Sequence, residues 1–440
     1  MRYQQYQDSG IGWIGDIPAH WQGKPLFSLF DEVKAKNVGN IEKNVLSLSY
    51  GSIVRRDVDS NYGLLPDSFE SYNQIKKGDI VLRLTDLQND KKSLRCGYVK
   101  EDGIITSAYV TIRKSTHILN NEYYYYLLHA YDIKKIFYNL GAGVRQSMGY
   151  RDLKKLSVLL PPSEEQLQIV EFLNKSIPHI DLLIKQKEAL IKLLEEKRQS
   201  MITEAVTKGL NPNVKMKDSG VEWIGEIPEH WTIKKIKHIS NLVGSGKTPK
   251  GGSEIYPESG VLFLRSMNVH YDGIRLKDIV HITPEIDEDM RSTRVKAKDV
   301  LLNITGASIG RSCIVPESLG KANVNQHVCI IRSKTRVIVP ELLSKIMSSN
   351  FIMQQILMSQ NGSSREGLNF SQVKNLKFPL VRDLNEQIEI ANYISVETDK
   401  VNNLVNMIKQ QSQKLKEYRQ SLIYEAVTGK IDVREFELEA

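Results

Sequence analysis

The sequence predicts an α+β protein: two mixed α/β domains in tandem, each followed by a long helix. Three observations lead there. The first is a duplication. Asp8-Ser-Gly-Ile-Gly-Trp-Ile-Gly-Asp-Ile-Pro-Ala-His-Trp21 returns as Asp218-Ser-Gly-Val-Glu-Trp-Ile-Gly-Glu-Ile-Pro-Glu-His-Trp231, and Glu196-Lys-Arg-Gln-Ser-Met-Ile-Thr-Glu-Ala-Val-Thr207 returns as Glu417-Tyr-Arg-Gln-Ser-Leu-Ile-Tyr-Glu-Ala-Val-Thr428. The offset, roughly 210–220 residues, is far longer than the ~20–50 residues of a solenoid repeat, so the repeated unit has the size of a domain. The second observation is a long glycine-free stretch in each half with apolar residues alternating three and four apart. The third is a set of matched strand-like segments ahead of each such stretch. A chain of 440 residues also exceeds what one core usually supports.

The expected order is a first domain at 1–162, a long helix at 163–210, a second domain at 211–382 and a second long helix at 383–440. Within the domains, Lys77-Gly-Asp-Ile-Val-Leu-Arg83 and Lys298-Asp-Val-Leu-Leu-Asn303 read as matched strands after a turn. Gly103 to Arg113 and Ala322 to Arg332 form a second matched pair. A helix follows in each half, Asn121 to Tyr138 and Pro340 to Met358. A glycine-containing loop comes next, Gly141-Ala-Gly-Val-Arg145-Gln146 and Gly362-Ser-Ser-Arg365-Glu366.

The first long helix opens at Pro161-Pro162-Ser163, where Ser163 is placed to cap and Gln166 to complete a capping box. The second opens at Asp383-Leu-Asn-Glu386 with the same device. Glycines at Gly209 and Gly429 stop them. The seams read Val170, Leu173, Ile177, Ile180, Ile184, Lys187, Ile191, Leu194, Arg198, Met201, Ala205 and Ala391, Ile394, Thr398, Val401, Val405, Ile408, Ser412, Leu415, Arg419, Leu422, Ala426. An a/d pattern held over about five heptads predicts a coiled coil, and its polar interruptions pin the register. Pro178 predicts a kink or a short break. A helix of about 45 residues is roughly 65 Å long.

Hydrophobic content of 41% and charged content of 25% are those of an ordinary globular protein. The net charge of +8 suits a polyanionic partner and equally a bland basic surface. Cys96, Cys313 and Cys329 are odd in number and lack Cys-x-x-Cys spacing, which argues against a disulfide scaffold or zinc ribbon and fits a reducing cytoplasm. The start, Met1-Arg-Tyr-Gln-Gln-Tyr, has no apolar core of a signal peptide, and no apolar run approaches the ~20 residues of a membrane span.

Catalytic patterns fail on inspection. Gly244-Ser-Gly-Lys-Thr-Pro249 ends like a phosphate-binding loop, but Asn241 stands where the first glycine belongs and Pro249 removes a backbone donor. No metal-ligand set emerges from nine histidines. His20 and His230, like Trp13, Trp21, Trp223 and Trp231, belong to the repeated motif and read as structural.

The sequence speaks for binding, and for nucleic acid the candidates are basic and amide side chains in loops. Arg and Lys neutralise phosphates, while Arg, Asn and Gln reach base edges in pairs of hydrogen bonds. In the first half these are Arg55, Arg56, Lys91 and Arg95; in the second they are Lys247, Lys250, Arg265, Asn268, Arg311, Asn325 and Gln326. For each alone, a solvated surface residue is the simpler reading. Arg145, with Gln146 beside it, and Arg365 stand apart because they occupy equivalent loops. Tyr123 to Tyr126 divide between core and surface and are not counted as contacts.

The duplicated opening motif, the loop leading into Lys154-x-Leu-x-x-x-Leu-Pro-Pro-x-x-Glu-Gln166, the repeated helix ending and the tandem order together resemble the specificity subunit of type I DNA restriction–modification systems. The second half departs at Pro379-Leu-Val-Arg, which replaces the Pro-Pro entry. The resemblance implies two target recognition domains, each reading half of a bipartite double-stranded DNA site, with the long helices packed as an antiparallel coiled coil. It implies a non-catalytic, cytoplasmic chain with no bound cofactor of its own. Its partners would be two methyltransferase subunits using S-adenosylmethionine and restriction subunits using ATP and Mg. The alternatives are a two-domain coiled-coil adaptor and an RNA-binding scaffold. If the helices act as a spacer, lengthening them by one heptad adds about 10 Å, or roughly three base pairs of unread gap. Sequencing of methylated sites should then show the same half-sites further apart; an unchanged gap would favour the adaptor.

Overall fold

The computed structural model describes residues 2–57, 66, 68–87, 94–139, 147–249, 256–360 and 367–436. Contacts divide the chain into two units, Met1–Glu188 with Gln410–Ala440, and Ala189–Lys409. Each unit therefore holds one globular domain, the start of the helix that follows it and the end of the other long helix.

The first unit begins with a hairpin made by the repeated motif, Tyr6–Asp8 against Asp16–Pro18, antiparallel. Strand Gln22–Pro25 then pairs with Ser157–Leu160, so the entry and exit of the domain lie side by side. Between them sits a four-stranded antiparallel sheet in the order Phe30–Glu32, Val110–Lys114, Ile80–Leu82, Cys96–Tyr98. Helix Asn121–Ile133 covers it and buries Tyr123, Tyr124, Leu127 and Leu128. Asn120 caps this helix by accepting from the N–H groups of Glu122 and Tyr123.

The second unit repeats the plan. Its hairpin pairs Met216–Asp218 with Glu226–Pro228, and Thr232–Lys235 pairs with Lys377–Leu380. Its four-stranded sheet runs Ser240–Ser245, Val328–Ser333, Val300–Asn303, Ser312–Ile314. The covering helix is broken in two, Pro340–Met347 and Asn350–Gln360. Each sheet carries the same ion pair: Arg113 grips Asp79 through two bonds of 2.7 Å, and Arg332 grips Asp299 at 2.8 and 2.7 Å. These aspartates also accept from the N–H groups of Lys76 and Lys296, which closes the turn before the strand. That turn needs a left-handed residue, supplied by Gly78 in one unit and by Lys298, at φ 69°, in the other.

The long helices run Ser163–Lys208 and Leu384–Val427. In the first unit, Asp181 pairs with Arg419 and Glu188 with Lys416, so the helix segments are antiparallel. Val170, Leu173, Ile177, Ile180 and Ile184 join one buried cluster with Leu422 and Ala426, and Leu415 packs against it. In the second unit, Arg198 bonds Asn402 and Glu195 faces Lys409, again antiparallel. There Val405 and Ile408 are buried, Ile191, Leu194 and Val401 half-buried, and Ala205 packs with Ala391 and Ile394. The flanking leucines Leu182, Leu183, Leu190 and Leu193 stay exposed, as a narrow seam requires.

The helix starts depart from the expectation at Ser163, Gln166 and Glu386. The first helix passes Pro178 without a break. Ser163 is its first helical residue rather than its cap, and Gln166 does not close a capping box. Instead, Gln166 Oε1 accepts from the Asn120 N–H at 2.8 Å and its Nε2 donates to Pro161 O at 2.9 Å. Gln387 repeats this, accepting from Val339 N–H at 2.8 Å and donating to Val381 O at 2.8 Å. Asp383 does cap, accepting from the Asn385 N–H at 3.1 Å. Glu386, however, turns to the repeated motif.

That turn explains the motif. Glu165, in the first turn of its helix, accepts from Trp21 Nε1 at 2.9 Å and from Tyr3 Oη at 3.1 Å, and His20 Nε2 lies 2.6 Å away. Burial and this carboxylate hold the Tyr3 hydroxyl well above its ordinary pKa. Glu386 accepts from Trp231 Nε1 at 3.0 Å, with His230 Nε2 at 3.2 Å. The end of the opposite helix closes the same corner: Gly429 packs against Pro18 and Trp21 in the first unit, and Gly209 against Trp231 in the second. A side chain at Gly429 would lie 2.4 Å from Pro18 Cδ, so glycine is required for more than its φ of 69°.

Glu165→Ala strands two buried donors and should lower stability by about 2–4 kcal/mol in urea unfolding. Glu386 is more exposed, 32% against 9% for the Glu165 side chain, and Glu386→Ala should cost less. Equal midpoints for both variants and the unaltered chain would show that the carboxylates do not organise these corners.

Candidate nucleic-acid interface

Each four-stranded sheet has one end, the loop end, where a described turn, Thr106–Tyr109 or Asn325–Val328, leads into a central strand. In the second unit the loop end is defined by Ser245, Asn303, Ser312 and Val328, where strands begin or finish. Four chain segments converge there. Thr305 Oγ1 lies 2.6 Å from His327 Nδ1, Ile304 N–H donates to His327 O at 3.0 Å, and Leu368 N–H donates to Ile304 O at 2.8 Å. Thr305 also bridges to Gly367, the first described residue after the 361–366 loop.

Gly246 brings the fourth segment in. A Cβ there would sit 1.6 Å from Val324 O and 2.9 Å from Asn325 O, so its backbone lies directly on the strand. This disposes of the phosphate-loop resemblance structurally. Ser240–Ser245 is a strand edge, and the glycine serves close packing rather than a phosphate cradle. Lys247 follows, exposed.

The described second-half candidates lie around this end, in different roles. Gln326 is exposed and Arg311 half-buried. Arg265 is half-buried and donates to Asp278 O at 2.7 Å. Asn268 is corrected from a base-contact candidate to framework. Asn268 is fully buried, accepting from Arg265 N–H and donating to Arg275 O. Asn325, also buried, accepts from His327 N–H at 3.1 Å. A buried amide with both ends bonded, as Asn268 has, holds its loop and does not reach a ligand. Lys250 and Arg365 lie outside the described residues.

In the first unit the corresponding end is set by Leu82, Cys96 and Val110. Met148 N–H donates to Leu84 O at 2.9 Å and Asp86 N–H to Ser147 Oγ at 3.3 Å, so the segment leaving 140–146 meets the one entering 88–93. Arg145, Gln146 and Lys91 lie outside the described residues. Arg95 is corrected: it has no exposed surface. Its guanidinium donates to Arg83 O, Thr85 O and Asp86 O, and Nε donates to Tyr138 Oη at 3.1 Å. It fixes the root of the 88–93 loop and is not available to a phosphate. Arg55 stays exposed. It forms a fork with Glu101, at 2.5 Å from Nη2, on the side of the sheet opposite the loop end. Arg56 neighbours it, tied by its N–H to Val45 O.

Sequence reasoning missed Thr305 and His327, which touch only in three dimensions, and the turn at Thr106, for which the signal was its register with Asn325. Among the described residues, no group of three or more His, Cys, Asp and Glu side chains is placed to hold a metal ion. No helix among them is long and apolar enough to cross a membrane.

What this geometry defines is a pair of like domains, each presenting polar loops at one sheet end and locked at the other to long helices. The chain matches the type I restriction modification DNA specificity domain at residues 34–193 and again at 228–417, and it belongs to that family. It is 25% identical over 320 residues to the type I restriction enzyme EcoBI specificity subunit of Escherichia coli, covering 71% of this chain and 66% of that one. It is 23% identical over 340 residues to the MjaVIII specificity subunit of Methanocaldococcus jannaschii, covering 77% and 76%. Two solved structures share its fold at 15% identity. One, from work on complex assembly and conformational transition of the type I R-M system, has a TM-score of 0.71 over 94% of this chain and 99% of its own. The other, the HsdS subunit from Thermoanaerobacter tengcongensis, has a TM-score of 0.51 over 94% and 98%.

Gly246→Ala should destabilise the second unit, because the strand carbonyls cannot yield, whereas Lys247→Ala should leave its melting temperature unchanged. Thermal melts of the two variants check this; a stable Gly246→Ala chain would mean the close approach is absent in solution.

Proposed function

We propose that this chain is the DNA sequence-specificity subunit of a type I restriction–modification complex. Each unit reads one half of a bipartite duplex site with the loop end of its four-stranded sheet. The observation that carries this is the double one: the specificity domain matches once in each half, and each half builds a four-stranded sheet on the same plan. The net charge of +8 suits a duplex whose phosphates dominate affinity.

The chain acts in the cytoplasm as a scaffold without a catalytic centre of its own. Methylation belongs to modification subunits, two per chain, that bind S-adenosylmethionine. Cleavage belongs to restriction subunits that use ATP and Mg. The approximate repetition of the chain supports two modification subunits, since each unit offers a similar surface to a similar partner.

The test is sequencing of methylated adenines in cells with and without this chain. A bipartite motif should appear only when the chain is present. Exchanging residues 26–156 for the equivalent stretch of a relative should change one half of that motif. Change in both halves, or in neither, would refute the division of labour. The purified chain should bind duplex DNA with a salt slope near −0.9 per phosphate contact, and preference for RNA would favour the scaffold reading.

A further inference from the structure

The two units share a turn whose frame is the same and whose outward residues differ. In the first unit, strand Gly103–Ile105 ends, the chain turns, and Val110–Lys114 begins; in the second, Ala322–Val324 and Val328–Ser333 do the same. Both turns open with a side-chain acceptor. Thr106 Oγ1 accepts from Ala108 N–H at 3.3 Å, and Asn325 Oδ1 accepts from His327 N–H at 3.1 Å. Both close with a backbone bond of 3.2 Å, Tyr109 N–H to Thr106 O and Val328 N–H to Asn325 O. A turn tied by its own first side chain fixes its backbone and leaves the next two side chains outside. Those are Ser107 and Ala108, both exposed, and Gln326 and His327, exposed and half-buried.

We propose that these paired turns are the base-reading elements of the two units, and that Gln326 reads an adenine in the half-site of the second unit. This rests on the DNA-specificity reading above and names the residues that carry it out. A carboxamide offers a donor and an acceptor side by side, matching the N6 and N7 edge of adenine in the major groove. Among the described residues, the Gln326 amide has no partner in the chain, so it is available without breaking a contact. Its position is held from both sides: the His327 ring is anchored by Thr305, and Gly246 rests on the Asn325 backbone. Lys247, next along, supplies a cation for a phosphate, a contact that positions without specifying. The first unit offers a small hydroxyl and a methyl instead. Ala108 suits the thymine methyl, and the unit lacks the amide that would demand adenine.

The test uses the full chain in complex with its methyltransferase subunits and reads the methylated motif by sequencing. Gln326→Ala should relax one position of one half-site, with discrimination falling on the order of tenfold to a hundredfold. Gln326→Glu, which only accepts, should turn preference at that position towards cytosine. Lys247→Ala should weaken binding to all sequences alike and lower its salt dependence, with the motif intact. Ser107→Gln should alter only the other half-site. An unchanged motif in both Gln326 variants overturns the proposal while leaving the DNA-specificity reading standing. A wild-type complex that methylates no bipartite motif would instead overturn that reading.

Discussion

Everything in this molecule hangs on a carboxylate near the start of each long helix. Glu165 gathers Trp21, Tyr3 and His20, and Glu386 gathers Trp231 and His230. A negative charge is favoured in the first turn, where backbone N–H groups point outward unpaired. Here it also satisfies indole and hydroxyl donors that burial would otherwise leave without partners. The neighbouring glutamine works in the other direction, holding the start of the domain's covering helix. One dipeptide, Glu-Gln, thus joins the hairpin, the covering helix and the long helix at a single corner.

With that corner fixed, the rest of each domain is free to differ. The strands Gln22–Pro25 and Ser157–Leu160, or Thr232–Lys235 and Lys377–Leu380, pin both ends of the variable stretch. The ion pairs Asp79–Arg113 and Asp299–Arg332 repeat inside it as a second framework. At the opposite end of the sheet the outward residues of the matched turns differ, Ser107 and Ala108 in one unit against Gln326 and His327 in the other.

Much of this was legible in the sequence because it is local or repeated. The heptad seam is a spacing along one chain, and the structure buries or half-buries each seam position from Val170 to Ala205. The duplicated motif announced a structural role for His20 and Trp21, since a single active site has no reason to occur twice. Other features were hidden because they depend on distant partners. Glu165 meets Trp21 across 144 positions, so Gln166 looked like a cap and Glu165 like an ordinary first-turn acid. Arg95 carries a charge that composition assigns to the surface, yet carbonyls of the 83–86 segment and Tyr138 surround it in the core. Asn325 and Gln326 looked alike on paper, and only the turn decides which of them faces out.

The tail of the chain carries one more implication. After the second long helix ends at Val427, Lys430 O accepts from Tyr6 Oη and the Arg434 guanidinium lies 4.8 Å above the Tyr3 ring. The last residues thus belong to the unit that contains the first ones. Tyr6 thereby tethers a residue 424 positions away, and trimming the segment that follows Val427 would uncover the rings of both Tyr3 and Tyr6 in the unit they belong to.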